Sequence, residues 1–210
     1  VVDYGSANLF NIQRALTAIG ANANISSSPE DVLKADKIVL PGVGAFQTGM
    51  SHLKKSGMVD ALNEFKASGK QILGICLGMQ LLVTQSEENG LHQGLDFIPG
   101  KVTRFTPCSS TESMFKIPQI CWNAIEHPPE KSKKSWGNTI LSELKSKAYM
   151  YFLHSYFVQA TQEEHCLAVT HYGNETFHSA IQNENVVGCQ FHPERSGEQG
   201  LSVLKSFVIS

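Results

Sequence analysis

The segment QILGICLGMQLLV carries a cysteine at a position that suits a nucleophile. Ile72–Ile75 is predicted to be a short buried strand and Leu77–Val83 a packed helix, with Cys76 at the join. Gly74 and Gly78 flank the cysteine, and a sharp strand-to-helix turn needs such neighbours because the two backbones pass closely. The helix start also supplies free N–H groups that favour a thiolate. A buried structural cysteine between two packing glycines is the alternative interpretation.

A second group of residues, the sequence QFHPE, could supply the base that a cysteine nucleophile needs. His192 follows a predicted strand, so we expect it at the same sheet edge as Cys76. A catalytic base is in turn oriented by an acceptor, and Glu194 can reach around Pro193 to the far imidazole nitrogen. Alone, this group is weak evidence for catalysis, and a solvated loop at a strand end is the alternative interpretation. Together, the two groups favour a Cys-His-Glu enzyme.

Composition limits the classes of function that fit this chain. With 210 residues, 41% of them hydrophobic and 17% charged, we expect a single domain spanning residues 1–210. A net charge of −2 argues against nucleic acid as a main partner, and no apolar run approaches the length of a membrane span. The five cysteines include no C-x-x-C pair, so no metal site is expected, and a reducing cytoplasm fits best.

The first half of the chain alternates predicted strands and helices. This alternation predicts an α/β fold with a doubly wound, mostly parallel sheet flanked by helices. Ligands in such sheets lie beyond the carboxyl ends of the strands, where Pro41–Gly44 and Cys76 both fall. Besides the central strand and helix, the predicted elements are helix Asn8–Ile19, strand Asn24–Ser26, helix Pro29–Ala35 after the N-cap Ser28, strand Lys37–Leu40 and helix Met50–Ser68.

The second half is predicted to add a β-rich, antiparallel part. Glu184-Asn185 supplies a turn between two of its strands, and a last helix covers Gly197–Ser210. The loops are Thr106–Ser113 and Pro128–Ser135, and both are too short to be interdomain linkers. The predicted strands are Lys101–Phe105, Phe177–Gln182 and Val186–Phe191, and the segments Ala148–Gln159 and Cys166–Tyr172 are β-rich.

The segments GICLGMQLL and QFHPE resemble those of the class I glutamine amidotransferase family. The loop Pro41–Phe46 (PGVGAF) and the Ser196-Gly197 pair are similar to the branch that serves imidazole glycerol phosphate synthase. The resemblance covers nearly the whole chain. Two residues depart from the usual pattern, Arg195 in place of lysine and Cys121 in place of glycine. Both departures concern the expected partner surface and leave the three chemical residues intact.

The resemblance implies a glutaminase that needs neither a metal nor a cofactor. Cys76 would attack glutamine, His192 would move the protons and Glu194 would orient His192. The oxyanion donors would be the Leu77 N–H at the helix start and the Val43 N–H in the Pro41–Gly44 turn. The residues implied to contact glutamine are Gly44, Gln80, Glu88, Ser155 and Tyr156. The residues expected at a partner interface are Asn8, Trp122, His154 and Arg195.

The resemblance also implies a partner, a cyclase with a (β/α) barrel that is a separate chain or a removed segment. This cyclase would make imidazole glycerol phosphate and aminoimidazole carboxamide ribotide from the delivered ammonia. Two alternatives are a glutaminase subunit for another synthase, such as a sugar amidotransferase, and a catalytically silent regulatory scaffold. The intact Cys76, His192 and Glu194 argue against the silent scaffold. The glycines around Val43 further suggest that partner docking turns its N–H toward the oxyanion.

Overall fold

The structure is a computed structural model that describes residues 1–5, 8–106, 115–128 and 135–210. Two 3₁₀ turns lie at Glu163–His165 and Pro193–Arg195. The helices are α1 (Leu9–Ala18), α2 (Pro29–Lys34), α3 (Phe46–Lys55), α4 (Met58–Ala67), α5 (Leu77–Leu81) and α6 (Gly197–Ile209). The strands are β1 (Ile38–Leu40), β2 (Ile72–Ile75), β3 (Val83–Ser86), β4 (His92–Gln93), β5 (Ile98–Arg104), β6 (Gln119–Ile125), β7 (Ala148–His154), β8 (Tyr156–Ala160), β9 (Cys166–Tyr172), β10 (Glu175–Asn183) and β11 (Val186–Cys189).

Three parallel strands, β1, β2 and β11, form the part of the sheet that carries the chemical residues. In the register Leu40 pairs with Gly74, and Ile75 pairs with Cys189. Every residue of these strands is buried. Because the strands are parallel and in register, their carboxyl ends meet at one edge of the sheet. The predicted sheet edge that carries Cys76 is therefore confirmed.

Helices cover both faces of this sheet, as a doubly wound fold requires. Adjacent strand residues point to opposite faces, so Leu73 joins one apolar cluster and Ile72 the other. The first cluster includes α1 and α6, with Leu16 and Leu204 buried. The second is packed by α3, α4 and α5, with Leu62 buried. None of the helices within the described ranges is both long and apolar enough to cross a membrane.

The C-terminal half is β-rich and largely antiparallel, as predicted. Strand β10 pairs antiparallel with β8, β9 and β11, and β8 pairs antiparallel with β5. Glu184 lies in the predicted turn between β10 and β11 and has a φ of 49°. Strands β3 and β4 complete this edge. Within the described residues, β6 and β7 form a separate two-stranded antiparallel sheet.

Local sequence signals explain where the first helices begin and end. Helix α1 buries Ile12, Ala15 and Leu16 at helical spacing, and Gly20 after it has a left-handed φ of 87°. Helix α2 begins at Pro29, and the Ser28 hydroxyl accepts a hydrogen bond from the Asp31 N–H at 3.3 Å. The N-cap predicted at Ser28 is therefore confirmed.

Three predicted elements were wrong in their extent. The single helix Met50–Ser68 is two helices, α3 and α4, because Gly57 takes a left-handed φ of 69° and turns the chain. The helix after Cys76 ends at Leu81, and Val83 already begins strand β3. The strand predicted at Asn24–Ser26 is a single bridge. Apolar periodicity continued through the first two places, so it gave no signal of the break. The predicted loops Thr106–Ser113 and Pro128–Ser135 lie largely outside the described residues.

Gly78 allows α5 to begin against the end of β1. A Cβ atom at this position would lie 1.8 Å from the Leu40 carbonyl oxygen, which is backbone and cannot move aside. A side chain at position 74 would also clash with backbone, since a Cβ atom on Gly74 would lie 2.8 Å from the Met79 nitrogen. The turn at Cys76 therefore depends on glycine at both flanking positions.

We predict that Gly78→Ala lowers the free energy of unfolding by about 3 kcal/mol, because the helix must move away from β1. Gly137→Ala is the matched control, since its nearest neighbour would be the Ser135 hydroxyl at 3.6 Å. Urea unfolding of the three proteins, followed by circular dichroism, measures the difference. Equal stability of Gly78→Ala and the parent chain would contradict this view of the turn.

Candidate active site

Cys76 occupies a strained turn between β2 and α5. Its φ and ψ are 54° and −110°, which is rare for a residue with a side chain. The Cys76 N–H donates to the Cys189 carbonyl at 2.8 Å, and its own carbonyl accepts from the Gln80 N–H at 3.1 Å. These bonds hold the cysteine between two strands and a helix. The turn presents Sγ at the sheet edge, as a nucleophile requires.

His192 and Glu194 form a buried pair beside this turn. The His192 Nδ1–H donates to Glu194 Oε1 at 2.9 Å, and the two side chains are 7% and 3% exposed. Burial by itself lowers the pKa of His192, but the Cys76 sulfur and the Glu194 carboxylate together outweigh it and raise the pKa to about 10. The protonated form of the imidazole is therefore favoured.

Hydrogen bonds to strand β7 and the 3₁₀ turn after His192 fix the position of this pair. The His192 N–H donates to the Tyr151 carbonyl at 2.9 Å, which ties the base to strand β7. The Ser196 hydroxyl donates to the His192 carbonyl at 2.6 Å and accepts from the Tyr151 N–H at 3.0 Å. Pro193 begins the 3₁₀ turn that brings Glu194 back to the imidazole. The short turn makes the pairing a local consequence of the sequence.

A cavity of about 220 Å³ opens beside the sulfur. It brings together most of the residues predicted to form the site, from five different parts of the chain. Its size suits one small molecule rather than a polymer. The lining residues are Val43, Gly44, Cys76, Leu77, Gln80, Glu88, Leu153, His154, Ser155, Tyr156 and His192.

Two backbone N–H groups predicted to be oxyanion donors lie in this lining. Leu77 begins α5 directly after the nucleophile, and Val43 lies on the loop that crosses the helix start. A Cβ atom on Gly42 would approach Leu77 Cβ to 2.9 Å, so the loop packs tightly over the turn. Neither N–H makes a hydrogen bond within the described residues.

Side chains hold both ends of this loop. The Tyr4 hydroxyl donates to the Pro41 carbonyl at 2.7 Å. Burial, and to a smaller extent the nearby Cys76, raises the pKa of Tyr4. At the other end, the Phe46 N–H donates to Glu88 Oε2 at 2.7 Å. Gly44 between them has a left-handed φ of 96°. The freedom of the loop is thereby confined to its central peptides.

Gln80 faces the cavity, but its amide is also engaged inside the protein. Its Nε2 donates to the Tyr156 carbonyl at 2.9 Å and to Gln190 Oε1 at 3.1 Å. The Gln190 Nε2 in turn lies 3.7 Å from Cys76 Sγ. Sequence reasoning missed Gln190 and Tyr4. The signal for Gln190 was its spacing, because residues two apart on an extended chain point the same way and His192 is already a site residue.

The residues expected at a partner interface divide into two groups. Asn8, Trp122 and Arg195 are exposed, and the Arg195 guanidinium lies 4.3 Å from the centre of the Tyr151 ring. His154 does not lie on the surface. It is buried among aromatic rings, and its Nδ1–H donates to the Tyr156 carbonyl at 2.9 Å. A direct partner contact from His154 therefore does not fit this structure.

We predict that the buried His154 lowers the free energy of unfolding as the pH falls. Burial lowers its pKa to about 3, so below pH 6.5 the unfolded chain binds a proton that the folded chain excludes. Urea unfolding between pH 7.5 and pH 4 should show a smaller loss of stability for His154→Phe than for the parent. Phe177→Leu, a neighbouring core change without a titratable group, should lower stability equally at every pH. Parallel curves for His154→Phe and the parent would contradict the prediction.

Known proteins match the chain over its full length. The family model for "Glutamine amidotransferase class-I" matches residues 1–210. A relative from Legionella pneumophila (strain Paris), imidazole glycerol phosphate synthase subunit HisH 1, is 40% identical over 208 residues, covering 99% of this chain and 97% of the relative. The HisH subunit from Sulfurimonas denitrificans is 42% identical over 211 residues, covering 99% and 96%.

Solved structures share the fold at low sequence identity. A crystal structure of glutamine amidotransferase superimposes with a TM-score of 0.71 at 16% identity, covering 99% of this chain and 97% of that one. The structure of PurLQS from Thermotoga maritima gives a TM-score of 0.69 at 17% identity, covering 99% and 95%. These similarities show the architecture alone.

Proposed function

The chain belongs to the class I glutamine amidotransferase family, and we propose that it is the glutaminase subunit of an imidazole glycerol phosphate synthase. In this proposal residues 1–210 act as one domain that hydrolyses glutamine to glutamate and ammonia. A cyclase partner uses the ammonia to make imidazole glycerol phosphate and aminoimidazole carboxamide ribotide. The observation that carries the proposal is that Cys76 and His192 line one cavity while His192 is paired with the buried Glu194.

The first half of the reaction forms a thioester on Cys76. The sulfur attacks the side-chain amide carbon of glutamine, and the C–S bond forms while the carbonyl becomes an oxyanion. Collapse of this intermediate breaks the C–N bond, and His192 gives its proton to the leaving nitrogen to release ammonia. The raised pKa of His192 favours the protonated form that this step uses.

The second half regenerates the enzyme. His192, now neutral, removes a proton from a water molecule that attacks the γ-glutamyl thioester. The C–S bond breaks, glutamate leaves and the sulfur returns to its starting state with His192 protonated. Glu194 holds Nδ1 throughout, which keeps Nε2 directed at the reacting atoms and supports the charged ring.

Backbone donors and polar side chains at the cavity would recognise glutamine. Leu77 N–H would stabilise the oxyanion together with Val43 N–H once that group is turned toward it, and removal of one such donor typically lowers the rate about a hundredfold. Glu88 uses Oε2 for the Phe46 N–H, which leaves Oε1 to accept from the substrate ammonium. Gly44, Gln80, Ser155 and Tyr156 complete the proposed contacts with glutamine.

We predict that Cys76→Ala abolishes glutamine hydrolysis, because the thioester cannot form. Synthesis driven by added ammonium salts in the complex with the cyclase should remain at the parent rate, since that reaction bypasses the cysteine. Cys166→Ala, at another buried cysteine, is the matched control and should hydrolyse glutamine normally. Hydrolysis by Cys76→Ala at the parent rate would refute the proposed nucleophile.

An exposed aromatic face beside the site supports a partner interface. Ile120, Trp122 and Tyr149 are each more than half exposed on the outer surface of β6 and β7. Trp122 packs against Tyr151 with ring centres 6.3 Å apart, and Arg195 covers the same tyrosine. Aromatic and arginine side chains dominate the binding energy of protein interfaces. We propose that the cyclase barrel docks on this aromatic face.

The aromatic face is bonded directly to the catalytic segment. Tyr151 accepts from the His192 N–H, and Arg195 follows Glu194 in the chain. A partner that contacts Arg195 would therefore sit next to the cavity from which ammonia leaves. We also propose a cytoplasmic location, supported by the free thiols of Cys76, Cys121 and Cys189 among the described residues.

Coupling to the partner would act through the loop that carries Val43. The Val43 side chain is 45% exposed, so a docked partner can contact it, and its N–H lies next to the cavity. Because Tyr4 and Glu88 hold the loop ends, a change of orientation is limited to the peptides around Val43. We propose that docking with a ligand in the cyclase turns this N–H toward the oxyanion. A hundredfold activation needs only about 2.7 kcal/mol of differential binding.

We predict that Val43→Pro abolishes the activated glutaminase rate, because proline has no N–H to donate. Docking measured by sedimentation should remain. Val43→Ala, which keeps the N–H and loses most of the side chain, should retain activation. Turnover of the isolated chain is compared with that of the complex, with and without the cyclase ligand. A free chain as fast as the liganded complex, or an activated Val43→Pro complex, would contradict the proposed reorientation of the Val43 N–H.

A further inference from the structure

We propose that Gln190 donates an N–H to the Cys76 sulfur and that Gln80 fixes the direction of this donor. Together the two glutamines form what we call the amide relay, which runs from the Tyr156 carbonyl at the cavity to the nucleophile. The inference rests on the proposed role of Cys76 and assigns a further catalytic residue to the same reaction.

The relay consists of three contacts in series. Gln80 Nε2 lies 2.9 Å from the Tyr156 carbonyl oxygen and 3.1 Å from Gln190 Oε1. Gln190 Nε2 lies 3.7 Å from Cys76 Sγ, within the range of an N–H to sulfur contact. Gln80 is 5% exposed and Gln190 is fully buried. Bulk water therefore cannot supply alternative partners to the inner amide.

The backbone carbonyl at the start of the relay determines its polarity. A carbonyl only accepts, so the nitrogen of the Gln80 amide must face Tyr156. The other N–H of that nitrogen points to Gln190, which must then present its oxygen. This leaves the Gln190 NH₂ group directed at Cys76. The chemistry of the first acceptor therefore assigns the nitrogen and oxygen positions of both amides and with them the direction of the donor.

A second interaction stabilises the start of the relay. The His154 Nδ1–H also donates to the Tyr156 carbonyl at 2.9 Å. His154 is buried among aromatic rings, and a neutral imidazole there has one N–H, which this bond occupies. The Tyr156 carbonyl thus receives two donors and is held in place. Ser155 and Tyr156 also line the cavity, so a bound substrate would contact the segment from which the relay begins.

The sulfur lies within reach of both an acceptor and a donor. Cys76 Sγ lies 3.8 Å from the Leu153 carbonyl, to which the thiol S–H can donate. The Gln190 N–H instead faces the lone pairs of the sulfur, and a donor bonds an anion more strongly than a neutral group. The donor is buried, so water does not screen this gain. Gln190 thereby stabilises the reactive anion while His192 carries the proton.

The main chain holds Gln190 independently of its side chain. Its backbone N–H donates to the Ser179 carbonyl at 2.9 Å, directly after β11. Substitution of the side chain therefore leaves the strand pairing in place. The chain also offers a matched control, because Gln119 is buried as completely and its Nε2 lies 3.7 Å from the Cys121 sulfur.

The test is the alkylation rate of Cys76 by iodoacetamide at pH 7, followed by mass spectrometry of its peptide in the full-length chain. This reaction requires neither glutamine binding nor an oxyanion donor. Gln190→Met keeps the length of the side chain and removes the donor, so we expect a rate about tenfold lower. Gln119→Met should stay within about twofold of the parent. Urea unfolding of both variants separates a loss of stability from a loss of reactivity.

Gln190→Glu provides a second variant that keeps the shape and the acceptor for Gln80 but places no N–H at the sulfur. It should also be alkylated more slowly than the parent. Parent-like rates in either folded Gln190 variant, or an equal fall in Gln119→Met, would overturn the amide relay. These outcomes are independent of the proposed function, which fails separately if Cys76→Ala still hydrolyses glutamine.

Discussion

The hydrogen bond from the Cys76 N–H to the Cys189 carbonyl is the contact on which the site depends. It is the last rung between two parallel strands, and the chain leaves both strands immediately after it. On one side the chain turns sharply into a helix, and on the other it continues for three residues to His192. The distance between nucleophile and base is therefore set by sheet pairing rather than by flexible side chains. The glycines at 74 and 78 are required because this turn packs against backbone.

Burial gives the charges of the site their strength. Burial by itself lowers the pKa of His192, but the Cys76 sulfur and the Glu194 carboxylate lie beside the imidazole with little water to screen them and raise its pKa to about 10. His154 shows the opposite result in the same protein. It has no carboxylate partner among the described residues, and burial lowers its pKa to about 3. Two histidines at one cavity thus hold different charges, as separate roles in proton transfer and in structure require.

The local part of the site could be predicted from the sequence, but its long-range contacts could not. The strand, turn and helix around Cys76 and the His192–Glu194 pair follow from residues close in the chain, and so did the class of fold. Tyr4 and Pro41 lie 37 positions apart, and Gln190 and Cys76 lie 114 apart, so no periodicity reveals those bonds. His154 was expected at the surface because strand alternation does not show which face aromatic rings from other strands will cover. The break at Gly57 was missed because apolar spacing continued across it.

The most direct test of Cys76 as the nucleophile is detection of the γ-glutamyl thioester itself. The chain in complex with its cyclase is mixed with glutamine, quenched in acid within milliseconds and digested, and the peptides are analysed by mass spectrometry. We expect a γ-glutamyl group on the peptide that contains Cys76, formed and lost at rates that match turnover. Full turnover with no adduct on that peptide, or an adduct on another residue, would contradict it.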